Sequence, residues 1–291
     1  MAEGGGAAPP SEAVRRGMSK SMLAVIVVVV AVLAFVGGIG MGNLLYAPKP
    51  TTSPFLVVGT NIPFPPFEDY NYTTGQYVGF DMDISRMIAI AANRQLVIQN
   101  FADFSVLLTT VGRGGVDMAA SAITQSGTTG AQRNNTMSFS IPYYDANQAV
   151  LVKTASTLTC PSNVCTADDL KTLTVGLQTG TTSESWVDDN LADLMANNAT
   201  QIKRFTTVDL ELAALNAGSI DAVIIDSGPA TAIAQGSSGA LKVTGTIITG
   251  ELYGFAVAHG DPQGLLTIIN NVISQSKSNG TYQTLITKWF G

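Results

Sequence analysis

A stretch without any charged side chain, residues 22–47, restricts how this chain can be arranged more than any other feature of its sequence. A membrane-spanning helix needs about 20 apolar residues, and this stretch reaches that length. Three basic residues precede it within residues 15–20, whereas only Lys49 follows it closely, which orients the N-terminal end towards the cytoplasm. We therefore predict a cytoplasmic tail over residues 1–21, a transmembrane anchor over 22–47 and a polar linker over 48–54, followed by an extracytoplasmic protein.

A cleaved signal peptide is the alternative interpretation of the same stretch. Signal peptides carry an apolar region of about 7–15 residues and end at a small-residue cleavage site. The apolar run is longer than that, and residues 45–47 (Leu-Tyr-Ala) form a poor cleavage site. Both interpretations place the remainder of the chain outside the cytoplasm.

The composition excludes several classes of function. The net charge of -6 argues against a nucleic-acid-binding surface. The chain has one histidine and two cysteines, too few for a structural zinc site with about four such ligands. Histidine-based catalysis would depend on His259 alone, which lies in a sequence typical of a surface turn. In an oxidising compartment we expect Cys160 and Cys165 to form a disulfide that closes a small loop.

Strand-like and helix-like segments alternate twice along the predicted extracytoplasmic part. The first series has predicted strands at 55–59, 95–99 and 116–122 with helices at 80–92 and 104–111. The second has predicted strands at 173–177, 201–205 and 222–225 with helices at 184–196 and 208–216. This alternation predicts an α/β fold with mostly parallel sheets, helices on both faces and ligands near the carboxyl ends of the strands. Two such series indicate two lobes with a cleft between them.

Short motifs in a fixed order carry a resemblance to a known family. They are Val58-Gly59-Thr60, Pro65-Pro66-Phe67-Glu68, Val78-Gly79-Phe80-Asp81, Phe139-Ser140-Ile141-Pro142-Tyr143-Tyr144, Val175-Gly176-Leu177-Gln178-Thr179-Gly180-Thr181, Asp226-Ser227 and Lys288-Trp289-Phe290-Gly291. With these motifs the chain resembles the extracellular solute-binding proteins of family 3, the polar-amino-acid-binding proteins of ABC importers. The resemblance covers residues 55–291 and implies the type II periplasmic binding fold.

The resemblance also implies how the lobes are divided and what they do. The first lobe would contain residues 55–146 plus 256–291 and the second residues 150–250, joined by two crossing strands that act as a hinge. Such a protein binds an amino acid between the lobes, works as a monomer with an ABC transporter permease, and needs neither a cofactor nor a metal.

The resemblance implies four groups that bind the charged ends of an amino acid. Arg133 would bind the carboxylate as a bidentate fork, helped by the Thr124 hydroxyl and by the backbone amides of Thr181 and Thr182 at a helix start. Asp226 would bind the α-ammonium group. Each residue also has an ordinary structural interpretation: a solvated arginine, a strand-end threonine, or, for Asp226, the N-cap of the next helix.

Two local features leave the carboxylate site open to other readings. About four residues near 127–130 are extra relative to the family pattern, which puts the reach of Arg133 in question. Ser183 is a natural N-cap for the helix that follows Thr182, and that role is compatible with anion binding by the same amides.

The ligand side chain would lie among uncharged residues. By resemblance, Phe64 and Phe104 form its aromatic walls, although core packing is an alternative role for Phe104. Asn61, Gln178 and Ile225 match family positions that tune the preference for a side chain, and Ala122 is also expected at the site. Because Asn61, Gln178 and Ile225 are uncharged, we predict a neutral amino acid as the ligand.

Two other functions are compatible with the same fold. A relative with cyclohexadienyl or arogenate dehydratase activity would need an acid or base in the cleft, and Glu68, which reads as structural, is the nearest candidate. A sensor would need a separate receptor chain, because the cytoplasmic tail has no room for an output domain.

Overall fold

The computed structural model describes residues 53–291, so the predicted tail, the predicted anchor and most of the predicted linker lie outside the described residues. Within 53–291, every helix falls short of the length and apolar character that crossing a membrane requires.

Twelve strands and ten helices lie in the described part. The strands are β1 (Phe55–Thr60), β2 (Asp69–Asn71), β3 (Gln76–Val78), β4 (Gln95–Asn100), β5 (Met118–Ala119), β6 (Met137–Phe139), β7 (Tyr144–Lys153), β8 (Val175–Gln178), β9 (Ile202–Phe205), β10 (Ala222–Asp226), β11 (Leu241–Tyr253) and β12 (Ala256–Ala258). The helices are α1 (Phe80–Ala91), α2 (Phe104–Gly112), α3 (Gly127–Arg133), α4 (Ala167–Leu170), α5 (Thr182–Asn190), α6 (Asn198–Gln201), α7 (Val208–Ala217), α8 (Ser227–Gly236), α9 (Leu265–Ser278) and α10 (Thr281–Phe290).

Two five-stranded sheets form the centres of two lobes, which confirms the predicted two-lobed α/β architecture. The strand order is β4-β1-β5-β12-β6 in the first lobe and β11-β7-β10-β8-β9 in the second. Four of the five strands in each sheet run in the same direction, as the prediction of mostly parallel sheets requires. One strand in each sheet, β12 in the first and β7 in the second, runs antiparallel to both of its neighbours and makes the sheet mixed.

The long strands β7 and β11 pair with each other and connect the two lobes. Their register runs from Leu241 opposite Lys153 to Tyr253 opposite Tyr144. At the first-lobe end, the amide of Tyr143 donates to the carbonyl of Tyr253 at 2.9 Å. The cleft therefore lies beside a pair of strands that both lobes share.

Each lobe has a hydrophobic core of its own. In the first lobe Phe67 is fully buried and its ring lies 5.2 Å from that of Phe290, which docks α10 onto the sheet. In the second lobe Leu177 and Leu191 are fully buried beneath α5. Burial of one such side chain stabilises a fold by about 1.5–3 kcal/mol, so the two cores hold both walls of the cleft in place.

The predicted disulfide between Cys160 and Cys165 is confirmed. The strand predicted over 116–122 is limited to β5, because Ala122 adopts a positive φ of 46° and turns the chain into the cleft. The helix predicted over 184–196 begins earlier and ends earlier, as α5.

Candidate functional site

A small cavity lies between the lobes, near the carboxyl ends of β1, β8 and β10. Its lining consists of Asn61, Phe64, Glu68, Phe104, Ser121, Ala122, Thr124, Arg133, Gln178, Thr181, Thr182 and Asp226. The residues expected from the sequence to contact the ligand are among them, whereas Ile225 is buried outside the lining. Glu68 and Ser121 are additional.

Arg133 is the last residue of α3, and only 7% of it is exposed. Its guanidinium donates to the carbonyl of Thr124 at 2.8 Å and to the carbonyl of Gly180 at 3.0 Å, and lies 5.5 Å from the ring centre of Phe104. Two of the five guanidinium N–H groups are thus used, and the others remain for a ligand. Burial lowers the pKa of Arg133 to about 10, which leaves the side chain charged at neutral pH.

The extra residues near 127–130 form the first turn of α3 and deliver Arg133 to the cavity. A Cβ atom at Gly130 would lie 2.1 Å from the carbonyl carbon of Gln125, so only glycine allows this turn to pack. The sequence left open whether Arg133 reaches the ligand site, and in the fold its side chain lines the cavity.

Asp226 is the last residue of β10 and is 6% exposed. The side-chain amide of Gln148 donates to its Oδ1 at 2.8 Å. Burial, and to a smaller extent the nearby carboxylate of Glu251, raises the pKa of Asp226 to about 8 against the opposing charge of Arg133. The alternative role as an N-cap is not observed, because the side chain makes no capping hydrogen bond to α8.

The start of α5 is capped by Thr181, whose hydroxyl accepts a hydrogen bond from the amide of Glu184. The alternative of Ser183 as the cap is wrong, because the Ser183 hydroxyl donates to Gln148 instead. Thr181 and Thr182 line the cavity at the N-terminal end of α5, the end of a helix where anions are stabilised.

The hydroxyls of Thr124 and Thr182 have a different partner from the one that the sequence suggests. Both donate to Oε2 of Glu251, at 2.6 Å from Thr124 and 2.7 Å from Thr182. A hydroxyl has one proton to donate, so in this arrangement neither hydroxyl has a proton left for a ligand carboxylate.

Uncharged side chains line the opposite end of the cavity. The amide of Gln178 donates to Oδ1 of Asn61 at 2.9 Å, and Asn61 in turn donates to the carbonyl of Phe101 at 2.7 Å. Phe64 packs against the cores of both lobes. These contacts fix the positions of two amide groups and an aromatic wall before any ligand arrives.

Glu68 is a lining residue that the sequence indicated only as structural. It is fully buried, and its Oε1 accepts from the hydroxyl of Ser121 at 2.9 Å. Its Oε2 has no hydrogen-bond partner among residues 53–291. Burial, followed by the charge of Asp81, raises the pKa of Glu68 well above its usual value, which favours the protonated carboxyl group.

Gln148 and Glu251 are two further residues that the sequence did not single out. They lie in the connecting strands β7 and β11, and both are buried. The available signal was a polar side chain at an inward position of an otherwise apolar strand, which in a lobe-connecting strand indicates a role in the cleft.

Direct hydrogen bonds join the lobes around the cavity, including Gln178 to Asn61, Arg133 to Gly180, and Thr129 to Ser185 at 3.1 Å. The lobes are therefore closed. The cavity combines a buried cation with a buried acid, an arrangement that suits a small zwitterion. His259 is exposed in the turn after β12 and lies outside the lining. Residues 53–291 contain no group of three or more His, Cys, Asp or Glu that could hold a metal ion.

Comparison with known proteins agrees with this geometry. Residues 56–291 match the profile of the bacterial extracellular solute-binding proteins, family 3. A probable histidine-binding protein of Neisseria gonorrhoeae is 29% identical over 254 residues, which cover 86% of this chain and 88% of that protein. The solved structure of an ancestral arginine-binding protein bound to arginine is 32% identical, with a TM-score of 0.70, and the match covers 81% of this chain and 98% of that chain. An ancestral arginine-binding protein bound to glutamine is 31% identical, with a TM-score of 0.71, over 82% of this chain and 99% of that chain.

Proposed function

This chain belongs to the bacterial extracellular solute-binding proteins of family 3, and on that basis we propose that it binds an L-amino acid between its lobes and delivers it to an ABC importer. One observation carries the proposal: Arg133 from the first lobe and Asp226 from the second line a single closed cavity. A carboxylate and an ammonium on one carbon atom require such a pair of opposite charges.

Each charged end of the ligand has its own set of groups in this proposal. The carboxylate takes the free N–H groups of Arg133 and the amides of Thr181 and Thr182. The ammonium group takes the carboxylate of Asp226, with Gln148 holding that carboxylate in place. Thr124 forms the wall between the two ends.

We propose a neutral side chain for the ligand. Phe64 and Phe104 supply apolar walls, while Asn61 and Gln178 supply amide groups. Glu68 contributes a carboxyl group whose protonated form is favoured, because burial raises its pKa. A neutral polar side chain can hydrogen-bond to these groups without an unpaired buried charge.

A cationic amino acid is the second candidate, and Glu68 is the observation that favours it. Its unpartnered Oε2 would lose its proton and pair with a guanidinium or ammonium group. The names of similar proteins point in both directions, since they mention arginine, histidine and glutamine.

The remaining parts of the proposal concern the whole chain. Residues 55–146 plus 256–291 and residues 150–250 would move as two bodies about β7 and β11, and closure would form the surface that the permease recognises. Residues 22–47 would hold the protein, as a monomer, at the outer face of the membrane as a retained anchor.

A thermal-shift panel of the twenty L-amino acids and their D-enantiomers tests the function. At a concentration of 100 Kd a ligand adds about 2.7 kcal/mol of stability, which raises the Tm of a protein of this size by roughly 5–10 °C. We expect the largest shift with an uncharged L-amino acid. If arginine or lysine gives the largest shift in Tm, the ligand is a cationic amino acid and the neutral-ligand proposal is wrong. If no amino acid shifts Tm, the proposed function itself is refuted.

The variant Asp226→Asn should remove the shift, and Asp221→Asn provides its matched control. Asp221 stands just before β10, at the end opposite Asp226, and is exposed. Both variants lose one carboxylate near the same strand, but only Asp226 faces the cavity. Equal loss of the shift in both variants would contradict the assignment of the site.

A further inference from the structure

Glu251 lies where the pairing of the two connecting strands is interrupted. Ile247 pairs with Gln148 and Glu251 pairs with Ala146, so three residues of β11, 248–250, face the single residue Asn147. Such bulges bend a strand and re-aim its side chains. The side-chain oxygen of Asn147 accepts from the amides of residues 249 and 250, each at 2.9 Å, which holds the bulge in shape. The result is an inward-facing Glu251 that is only 6% exposed.

Four uncharged donors surround the carboxylate of Glu251. Oε2 accepts from Thr124 at 2.6 Å and from Thr182 at 2.7 Å. Oε1 accepts from Gln148 at 2.8 Å and from Thr249 at 2.9 Å. Buried charge is tolerated only when it is hydrogen-bonded in this way, so the position is built to hold a carboxylate.

The two donors to Oε2 come from different lobes. Thr124 follows β5 of the first sheet, and Thr182 is the first residue of α5 in the second lobe. One oxygen atom therefore joins the lobes through two short hydrogen bonds, beside the cavity and close to the strands that bend. Hydrogen bonds between residues 123–126 and residues 252–254 hold Thr124 beside the end of β11 that carries Glu251. Separation of the lobes therefore lengthens the bond from Thr182, which belongs to the second lobe.

We propose that Glu251 is a positioning residue for ligand binding, which stabilises the closed arrangement by accepting from Thr124 and Thr182 together. This inference rests on the proposed function, because it deepens the account of the same cleft. Glu251 does not line the cavity itself and acts through the two threonines that do. Because both hydroxyls donate their hydrogen bonds to Glu251, the ligand carboxylate is bound by Arg133 and by the amides of α5.

The carboxylate of Glu251 also acts on the two charged residues of the cavity. The carboxylate of Glu251 raises the pKa of Asp226 and favours the charged form of Arg133. Closure without a ligand therefore places two acids near each other, whereas closure on an amino acid supplies an ammonium group to Asp226. Glu251 thus contributes attraction between the lobes and also makes full closure depend on the ligand.

The closed population of the empty, full-length protein tests the proposal directly. Spin labels on p-acetylphenylalanine introduced at Tyr72 and Leu210 would report the distance between the lobes by double electron–electron resonance. Both positions are exposed, one in each lobe, and this labelling leaves the native disulfide intact. We expect Thr182→Val, which removes the hydroxyl that the second lobe donates to Glu251, to shift the distance distribution to longer values.

Two further variants separate positioning from a general structural effect. Thr182→Ser keeps the hydroxyl and should restore the wild-type distribution. Thr249→Val removes a hydrogen bond to the same carboxylate from within the same strand, and should leave the distribution unchanged. Unchanged distances in Thr182→Val, or an equal shift in Thr249→Val, would overturn the proposal.

Calorimetric titration with L-glutamine and L-arginine as probes gives the second measurement. For a probe that binds the wild type, we expect Kd to rise at least tenfold in Thr182→Val and to recover in Thr182→Ser. A wild-type protein that binds neither probe, nor any other amino acid, would count against the proposed function. The distances in the empty protein would then still decide the role of Glu251.

Discussion

Replacement of Asp226 by asparagine should raise the stability of the empty protein while it removes ligand binding. Asp226 has a pKa of about 8 in the closed structure, against 3.8 for an unperturbed aspartate. Between these two values the folded protein holds a proton that the unfolded chain has released. The stability contributed by protonated Asp226 is therefore present below pH 4 and is lost as the pH rises towards 8.

The size of this effect follows from the width of that pH window. Within it, the free energy of unfolding falls by about 1.4 kcal/mol per pH unit for one such group. Asparagine does not titrate, so the advantage of Asp226→Asn should grow by roughly 3 kcal/mol between pH 5 and pH 7. For a protein of this size that corresponds to a gain of about 5–10 °C in Tm. The figure is an upper limit, because opening of the cleft lets water solvate the carboxylate.

Thermal melts of the empty protein at several pH values measure the stability, and calorimetry with the amino acid identified by the panel measures the affinity. Loss of the ammonium partner should weaken binding by at least about 2 kcal/mol, or roughly 30-fold in Kd. Glu211→Gln is the matched control. Glu211 is 1% exposed in α7, burial raises its pKa well above the usual value, and it does not line the cavity.

The control should also flatten the pH dependence of stability but should leave Kd unchanged. If Asp226→Asn melts with the same pH profile as the wild type, the carboxylate is not buried in the empty protein and the reasoning fails. If it binds the ligand with wild-type affinity, Asp226 is not the ammonium partner.

Two further predictions concern the cation of the site and the disulfide. Arg133→Lys should raise Kd at least about 30-fold in calorimetry. Lysine cannot hydrogen-bond to the carbonyls of Thr124 and Gly180 and also form a fork with a carboxylate. A change in Kd below threefold would contradict this prediction. Replacing Cys160 and Cys165 by serine opens a loop of six residues. The free energy of unfolding should fall by about 2 kcal/mol and Tm by roughly 4–8 °C, with Kd unchanged. An unaltered melt would show that the loop is ordered without the disulfide.

The sequence predicted the elements of the fold wherever apolar patterning was strong. The predicted strand at 222–225 appears as β10, and the predicted helix at 208–216 appears as α7. The prediction for 116–122 was too long, because Ala122 adopts a backbone conformation that apolar patterning does not reveal. Mixed sheets were missed for a related reason, since local periodicity does not specify whether neighbouring strands run parallel or antiparallel.

The lining of the cavity was predictable because the resemblance placed each residue in a known order along the chain. The hydrogen-bond partners of those residues could not be predicted. Thr124 and Thr182 are far apart in sequence, and their shared contact with Glu251 depends on a bulge in β11. Similarly, the cap of α5 is Thr181 instead of Ser183, because Ser183 turns inward to Gln148, which lies in the other connecting strand.

The balance of charge in the cleft explains how an amino acid can drive closure. The closed site contains one guanidinium, that of Arg133, together with the carboxyl groups of Glu68, Asp226 and Glu251. Burial raises the pKa of Glu68 and Asp226, so an empty closed cleft must either bind protons or stay partly open to water. A zwitterion changes no net charge, yet it brings an ammonium group to Asp226 and a carboxylate to Arg133, and each buried charge then has a partner. A ligand shifts an equilibrium only as far as it binds one state better than the other. In the closed state both charged ends of the ligand are paired. The buried carboxylate of Asp226 makes the empty closed cleft unfavourable, and the same carboxylate stabilises the occupied cleft by pairing with the ammonium group.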